Sequence, residues 1–502
     1  MKIGKIGLIL LVIFLAGFFL RLYDLGGESL WLDETISLWI SDSDVIERSS
    51  QEAQTPLYYL ILHNWINFFG DSEFSVRFPS VIFGSLAVIL MYILGKRLFN
   101  KEVGVLSSLI LSISAYNIYF SQEARPYSLF VFLFLLSFYS FLLILEKKDV
   151  RNSSFYIISN ILMIYTHIFG LFLVLAQTIY ILYLFLSKKR EKSLLKQWII
   201  IQAVLFILFV PWLGFFIEQI AKIQGGVDFV NWISLPSLNA VYYSFQEFSG
   251  LLYFSSNEIF LILIPMFIIF LVLSLNAVLF FRKDGPKAGF IKTEENVLLL
   301  LFIFVPVILA FIISYAVFPI YVTRYLIPCS AAFYILVAAG LVKIKHKNLK
   351  TALIILLVLL SLVSVLFYHT AIKKEQWREA AEYIDENAHA DDLVIFNAGY
   401  CQIAFDHYSK RTDLIKKTFP AKANVSVDED DIKDLEWQIS GSLRIWLVLS
   451  HSNDENYKII NETLSESCIL LDHKKFYKVE IYLYEKKGAE EYRNYLKLNS
   501  NR

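Results

Sequence analysis

Cysteine is almost missing from this chain of 502 residues: Cys329, Cys401 and Cys468 stand far apart. Three such residues exclude a disulfide framework and lack the spacing of a zinc site, leaving a single Cys401–Cys468 bridge as the one pairing open. Charge is scarce too. Asp, Glu, Lys and Arg make up 18% of the chain, against about 25% in soluble domains. The 46 basic and 46 acidic side chains cancel, so no basic excess points to nucleic acid, and none is expected as a partner. There is no glycine-rich nucleotide loop and no repeat of the solenoid kind.

What the chain has is apolar surface. It is 57% hydrophobic and 16% aromatic, with a mean hydropathy of +0.55, the composition of an integral membrane protein. Runs long enough to cross a bilayer fall near 6–22, 78–95, 103–119, 127–145, 153–166, 169–187, 197–216, 256–281, 296–316, 325–342 and 351–368. The fold expected is therefore mainly α, a polytopic helical membrane protein of about eleven spans. The first run follows Lys2 and Lys5 without a convincing cleavage site before Arg21, and reads as an uncleaved span. The fifth run is short, and only Thr166-His167 parts it from the sixth.

Lys and Arg crowd alternate loops, at 96–101, 147–151, 188–196, 282–292 and 343–350, while the other set holds few. The positive-inside rule puts the crowded loops in the cytoplasm. A plasma-membrane protein is expected, with the 21–77 and 217–255 loops and everything after Phe367 on the outer face. Two domains follow: 1–368 in the membrane and 369–502 outside it.

The first outer loop carries its own structure. Thr55-Pro56 reads as an N-cap with proline at the first helical position, and Gly70 as the stop, of a helix too polar to span. Such a helix lies in the interface. The 217–255 loop, with Trp232, Tyr242, Tyr243 and Glu247, is an aromatic belt or a lid. Beyond Tyr368 the composition turns charged: Glu375 to Asn387 reads as a helix, and 393–396, 443–449 and 479–484 as strands, giving an extracytoplasmic α/β domain. Its sequons at Asn424 and Asn461 matter only in a host that glycosylates.

With that topology the polar groups at the outer ends of the spans form a set: Arg21, Asp33 and Glu34; Arg77; Gln122, Glu123 and Arg125; Tyr165 and His167; Tyr321, Arg324 and Tyr325. Charges at such depth are expensive unless they pair or serve a polar cavity. Taken singly, each has a plain structural account. Asp33-Glu34 reads alone as a solvated turn, Arg77 and Arg125 pair with nearby glutamates, and Arg324 anchors an interface. Together they suit a carboxylate base working beside a leaving phosphate held by arginine forks. Asp42-Ser-Asp44 has a metal-binding spacing used with nucleotide sugars, but lies on the wrong face for such donors. A glycolipid flippase or transporter is the rival. It also has many spans and buried arginines, yet places them near the midplane on broken helices.

The order Arg21…Trp31-Leu-Asp33-Glu34, Thr55-Pro56-Leu-Tyr-Tyr-Leu, Ser75-Val-Arg77-Phe-Pro79-Ser80, Ser121-Gln-Glu123-Ala-Arg125-Pro-Tyr127, Tyr165-Thr-His167-Ile-Phe-Gly170 and Thr323-Arg-Tyr-Leu-Ile-Pro328 resembles the GT-C membrane glycosyltransferases. Within them it is similar to the protein O-mannosyltransferases, the lipid A aminoarabinose transferase and related polyprenyl-phosphate-sugar transferases, over roughly residues 1–345. The resemblance implies a multi-span core with two interfacial helices in the first outer loop. It implies an acidic residue of that loop as catalytic base, here Asp33 with Glu34 beside it, and a second acidic position at Glu123. Arg21, Arg77, Arg125, His167, Arg324 and Tyr325 are then the expected substrate and phosphate ligands. The partners implied are a polyprenyl-phosphate-linked sugar, membrane lipid, and a lipid, glycan or protein acceptor. A divalent metal serves some members of the class, but no outer His or Cys cluster here compels one. The tail differs from the sugar-binding repeats of eukaryotic protein mannosyltransferases.

Overall fold

The structure is a computed structural model that describes residues 4–189, 192–224, 232–252, 257–279, 289–420, 429–451 and 454–489. All eleven apolar runs are helical over their described residues, apart from the break at Ser114. Among the described residues eight helices are long and apolar enough to cross a membrane: Lys5–Leu22, Glu73–Leu98, Tyr127–Glu146, Lys192–Lys222, Ile259–Leu279, Glu294–Ala316, Thr323–Val342 and Lys347–Ala371. A ninth results if Lys101–Ile113 and Ala115–Ser121, bent by 58°, count as one. The remaining two, Val150–Thr166 and Gly170–Leu186, have 17 residues each. At 1.5 Å per residue each is about 26 Å long, less than the ~30 Å of hydrocarbon.

Those two short helices are fastened by buried polar groups. Ser137 Oγ donates to Asn160 Oδ1 at 2.8 Å, Gln177 Nε2 to Ser137 Oγ at 2.9 Å, and the Ser140 and Ser159 hydroxyls meet at 2.9 Å. In an apolar medium such bonds between helices do what hydrophobic contact cannot.

The bent pair breaks at Ser114, where a membrane helix leaves carbonyls without partners, a condition an apolar medium tolerates only if protein supplies donors. Ser114 Oγ caps the second helix by accepting from Asn117 N at 3.3 Å and meets Tyr334 Oη at 2.8 Å. Arg21, fully buried, caps the first. Its Nη1 donates to Ser112 O at 3.0 Å and Gly17 O at 2.9 Å, Nη2 to Leu111 O at 3.2 Å, and Nε to Ser121 Oγ at 3.1 Å. A Cβ on Gly84 would fall on Ser121 Oγ and lie 3.1 Å from Arg21 Nε, so only glycine leaves room for the guanidinium.

The expected helix after Pro56 is Leu57–Phe69. Pro56 is its N-cap rather than its first residue, and Gly70, at φ +79°, ends it as glycine can. It buries Tyr58, Tyr59 and Leu62 and leaves Phe68 80% and Phe69 62% exposed, the division of faces that suits an interfacial helix.

The chain forms two compact units: Met1–Leu25 with Ile40–Ile372, and Gly26–Trp39 with Lys373–Arg502. The boundary thus falls at 372/373 rather than 368/369, and part of the first loop belongs to the second unit. That unit is built on a five-stranded sheet of β1 (Leu393–Asn397), β2 (Ile415–Thr418), β3 (Arg444–Leu449), β4 (Cys468–Phe476) and β5 (Val479–Lys486), in the order β2-β1-β3-β5-β4. The first three are parallel, and β5 and β4 run antiparallel to their neighbours. Strand alternation splits the core in two. Val394, Phe396, Trp446 and Val448 meet the Trp377–Asn387 and Gln402–Tyr408 helices, and Leu393, Ile395, Ile445 and Leu447 meet Glu429–Ser440 and Asp454–Ser467. Leu32 and Ile36, one turn apart on the Leu32–Asp42 helix, complete the first of these cores. Cys401 and Cys468 are buried free thiols, so the bridge left open above is not made. Asn461 lies within a helix and accepts from Tyr484 Oη at 2.6 Å; Asn424 falls outside the described residues.

Replacing Arg21 by Ala strips the break of its donors, and is expected to lower stability by about 3 kcal/mol. Arg21→Lys, with one compact ammonium in place of a fork, should recover less than half of that. Thermal unfolding of the purified variants in detergent checks both.

Candidate active site

Four of the expected site residues come together in the first unit from three distant segments. Arg125 and His167 are 5% and 7% exposed. Arg125 lies over the Tyr127 ring at 5.9 Å, and Arg324 over Tyr325 at 5.9 Å and Trp232 at 5.1 Å. His167 packs on Phe130 and on Tyr325, both at 4.9 Å between centroids. Tyr127 and Tyr325 stack at 6.4 Å. The local sequence explains the convergence: the His167 turn ends one short helix and starts the next, while Thr323–Leu326 is a 3-10 turn that hands over to the Ile327–Val342 helix.

Electrostatics tie the group together. Burial, followed by the charges of Arg125 and Arg324, pushes the His167 imidazole from 6.5 down to about 3. It therefore sits as a neutral hydrogen-bonding ring within the field of two guanidinium groups. Guanidinium groups held over aromatic faces in this way are chemically suited to binding an anion. Glu247, on the Leu238–Phe248 helix, also senses Arg324. Burial raises its carboxyl to about 7, with Arg324 partly opposing. Sequence reading noticed Glu247 only as a member of an aromatic loop; the signal it offered was one acid on a short amphipathic helix.

Glu123 is 1% exposed and faces the Tyr119 hydroxyl, where Arg324 also contributes its field. Gln122, next to it, donates from Nε2 to Arg21 O at 3.0 Å and Tyr23 O at 2.7 Å, and accepts from Tyr368 Oη at 2.7 Å. Two expected phosphate ligands do other work. Arg21 is a correction: its fork is occupied by the carbonyls and hydroxyl named above, so it is a cap and not an anion ligand. Arg77, 2% exposed, donates from Nη1 to Leu25 O at 2.9 Å.

Asp33 and Glu34 belong to the second unit. They occupy the first turn of the Leu32–Asp42 helix, at the positive end of its macrodipole. Asp33 is partly buried. Glu34 is fully buried and accepts from Lys374 Nζ at 3.1 Å, and that ammonium side chain is itself only 8% exposed. The ion pair gives Glu34, expected as a catalytic neighbour of Asp33, a structural task in holding the segment. Among the described residues no three His, Cys, Asp or Glu side chains are grouped to hold a metal.

Comparison with known proteins agrees with this architecture. Residues 53–215 match the model of the dolichyl-phosphate-mannose-protein mannosyltransferase family. No curated protein matches the chain. Among solved structures, ArnT from Cupriavidus metallidurans in the apo state is similar at 12% identity and a TM-score of 0.61, over 94% of this chain and 97% of that one. The same protein bound to undecaprenyl phosphate gives 11%, 0.57, 94% and 97%. The Archaeoglobus fulgidus oligosaccharyltransferase, apo, gives 12%, 0.55, 89% and 69%.

The low value at His167 has a sign that can be tested. The unfolded ring titrates near 6.5 and the folded one near 3, so unfolding takes up a proton between those values. Acidification through that window should destabilise the chain. In the folded protein, ¹⁵N spectra of labelled histidine should show a neutral ring down to about pH 5. Across nearly its whole length the chain has the fold of the GT-C membrane glycosyltransferases, and among them it resembles the O-mannosyltransferases and ArnT.

Proposed function

We propose that this chain is an inverting glycosyltransferase that moves a sugar from a polyprenyl-phosphate carrier to an acceptor hydroxyl. The observation that carries the reading is the pair of guanidinium groups, Arg125 and Arg324, flanking neutral His167 among aromatic rings. A neighbour of the same fold was solved with undecaprenyl phosphate bound, which supports a lipid phosphate as the anion.

In this reading the donor phosphate lies against Arg125 and Arg324, and its tail runs along apolar helix surface. Asp33 takes the acceptor proton as the acceptor oxygen attacks the anomeric carbon from the face opposite the phosphate. The carbon–oxygen bond to phosphate breaks, and its electron pair leaves with the polyprenyl phosphate. Charge therefore grows on phosphate oxygens, where buried arginines stabilise it most, and a covalent nucleophile is not needed. Glu123, buried beside Tyr119, orients the acceptor or the donor sugar. The distribution of Lys and Arg between loops supports a reaction on the non-cytoplasmic face of the plasma membrane.

Mass spectrometry of products from protein in liposomes, supplied with a panel of polyprenyl-phosphate sugars and envelope acceptors, tests this. Wild type should give a glycosylated product, and Asp33→Asn should lose at least about 100-fold in rate while staying folded. Glu123→Gln and Arg125→Ala should lose roughly 10- to 100-fold each. Normal turnover by Asp33→Asn removes the base from the mechanism. Movement of labelled glycolipid between leaflets without any product would make the chain a flippase.

A further inference from the structure

Within the second unit, the start of the helix that carries Asp33 is held by the carboxylate of Glu375. Glu375, whose side chain is 2% exposed, accepts three hydrogen bonds. Its Oε2 takes Leu32 N, the first residue of the Asp33 helix, at 3.1 Å and Trp377 Nε1 at 2.9 Å. Its Oε1 meets His451 Nε2 at 2.8 Å. The Glu375 carbonyl accepts from Ser29 Oγ at 2.8 Å, just upstream of that helix. Although burial alone would raise it, bonds from His451, Trp377 and Leu32 hold the Glu375 carboxyl below its ordinary value, so it is ionised at neutral pH.

The surroundings are those of a working site in an α/β sheet. The chain passes from β1 to β2 on one side and to β3 on the other, so its direction of winding reverses between β1 and β3. Functional groups in such sheets gather at the carboxyl ends of the strands at this point. Tyr400 follows β1 and His451 follows β3, with ring centroids 6.2 Å apart. His451 adopts φ +55°, a backbone state uncommon for a non-glycine residue and recurrent at functional positions. Burial, then Cys401, Glu375 and Asp33, push the Tyr400 phenol up to about 12, which puts Asp33 on the same face as Tyr400 and Glu375.

We propose that Glu375, steadied by His451, is a positioning residue for the candidate base Asp33. The proposal rests on the reading of Asp33 as base. A side chain that takes a proton during displacement must stand within hydrogen-bond reach of the acceptor, and a misplacement of about 1 Å costs on the order of 100-fold. Leu32 N is the amide immediately before Asp33, so loss of its acceptor frays the turn from which Asp33 projects.

The experiment takes the full chain in liposomes through Glu375→Ala, Glu375→Gln and His451→Ala, measuring kcat and donor KM by product mass spectrometry and hydrogen–deuterium exchange of peptides covering 28–40. Glu375→Ala should lower kcat by at least about 30-fold with donor KM within about threefold, and speed exchange of the Leu32–Ile36 amides by about tenfold or more. Glutamine keeps an oxygen for Leu32 N and Trp377, so Glu375→Gln should restore at least about a third of the turnover. His451 is half-exposed at the sheet's end, so His451→Ala should fold even where Glu375→Ala does not, and lose about three- to tenfold in kcat with KM held. Turnover within about threefold of wild type in both alanine variants, or unchanged exchange, overturns the proposal. An equal loss in Glu375→Ala and Glu375→Gln without faster exchange also overturns it. Should wild type transfer nothing from any donor, the glycosyltransferase reading falls; accelerated exchange in Glu375→Ala would still support the anchoring, and unchanged exchange would remove that too.

Discussion

A guanidinium buried at a break in a membrane helix governs the first unit. Helix ends leave carbonyls that nothing in hydrocarbon can satisfy, and here Arg21 supplies the donors, so the chain can bend by 58° at Ser114. The second half of the broken helix ends at Ser121, and Gln122, Glu123 and Arg125 follow it directly. Ser121 and Gln122 bond to the Arg21 segment, while Arg125 lies over Tyr127. One polar network thus fixes both the bend and the position of the buried charges beside it.

The site uses two ways of keeping charge at low dielectric. Arg125 and Arg324 lie over aromatic rings, whose faces are electron-rich and shed little water. His167 meets the same field by remaining neutral. Under the proposed function, fixed cations beside a polar but uncharged ring would be preorganised for a ligand that brings its own negative charge.

Apolar runs made the long helices of the first unit visible in advance, and Gly70 marked the end of the Leu57–Phe69 helix because few other residues take φ +79°. β1, β3 and β5 were visible for their runs of branched and aromatic residues. Others were not. β2, Ile-Lys-Lys-Thr, is an edge strand with half its surface in solvent, and β4 is exposed along most of its length. Neither carries a periodic pattern of its own. The Leu32–Asp42 helix looked like a polar loop because the surface that Leu32 and Ile36 cover lies far along the chain. Arg21 and Glu34 show why a list of polar residues at one membrane face overcounts a site. In the sequence a capping arginine and a phosphate-binding arginine are the same letter, as are a paired and a reactive glutamate. Arg125, His167, Arg324 and Tyr325 were legible because topology put their helix ends on one face, and Glu247 was missed because its helix is no span.

The membership of Gly26–Trp39 in the second unit has a consequence for biosynthesis. Leu32 N and its acceptor on Glu375 are 343 residues apart in the chain. A ribosome that has made the helices of the first unit has therefore left the Gly26–Trp39 segment without the sheet it packs with. The second unit is completed last, when the sheet closes on a strip of chain made near the beginning, so its folding must wait for the end of synthesis.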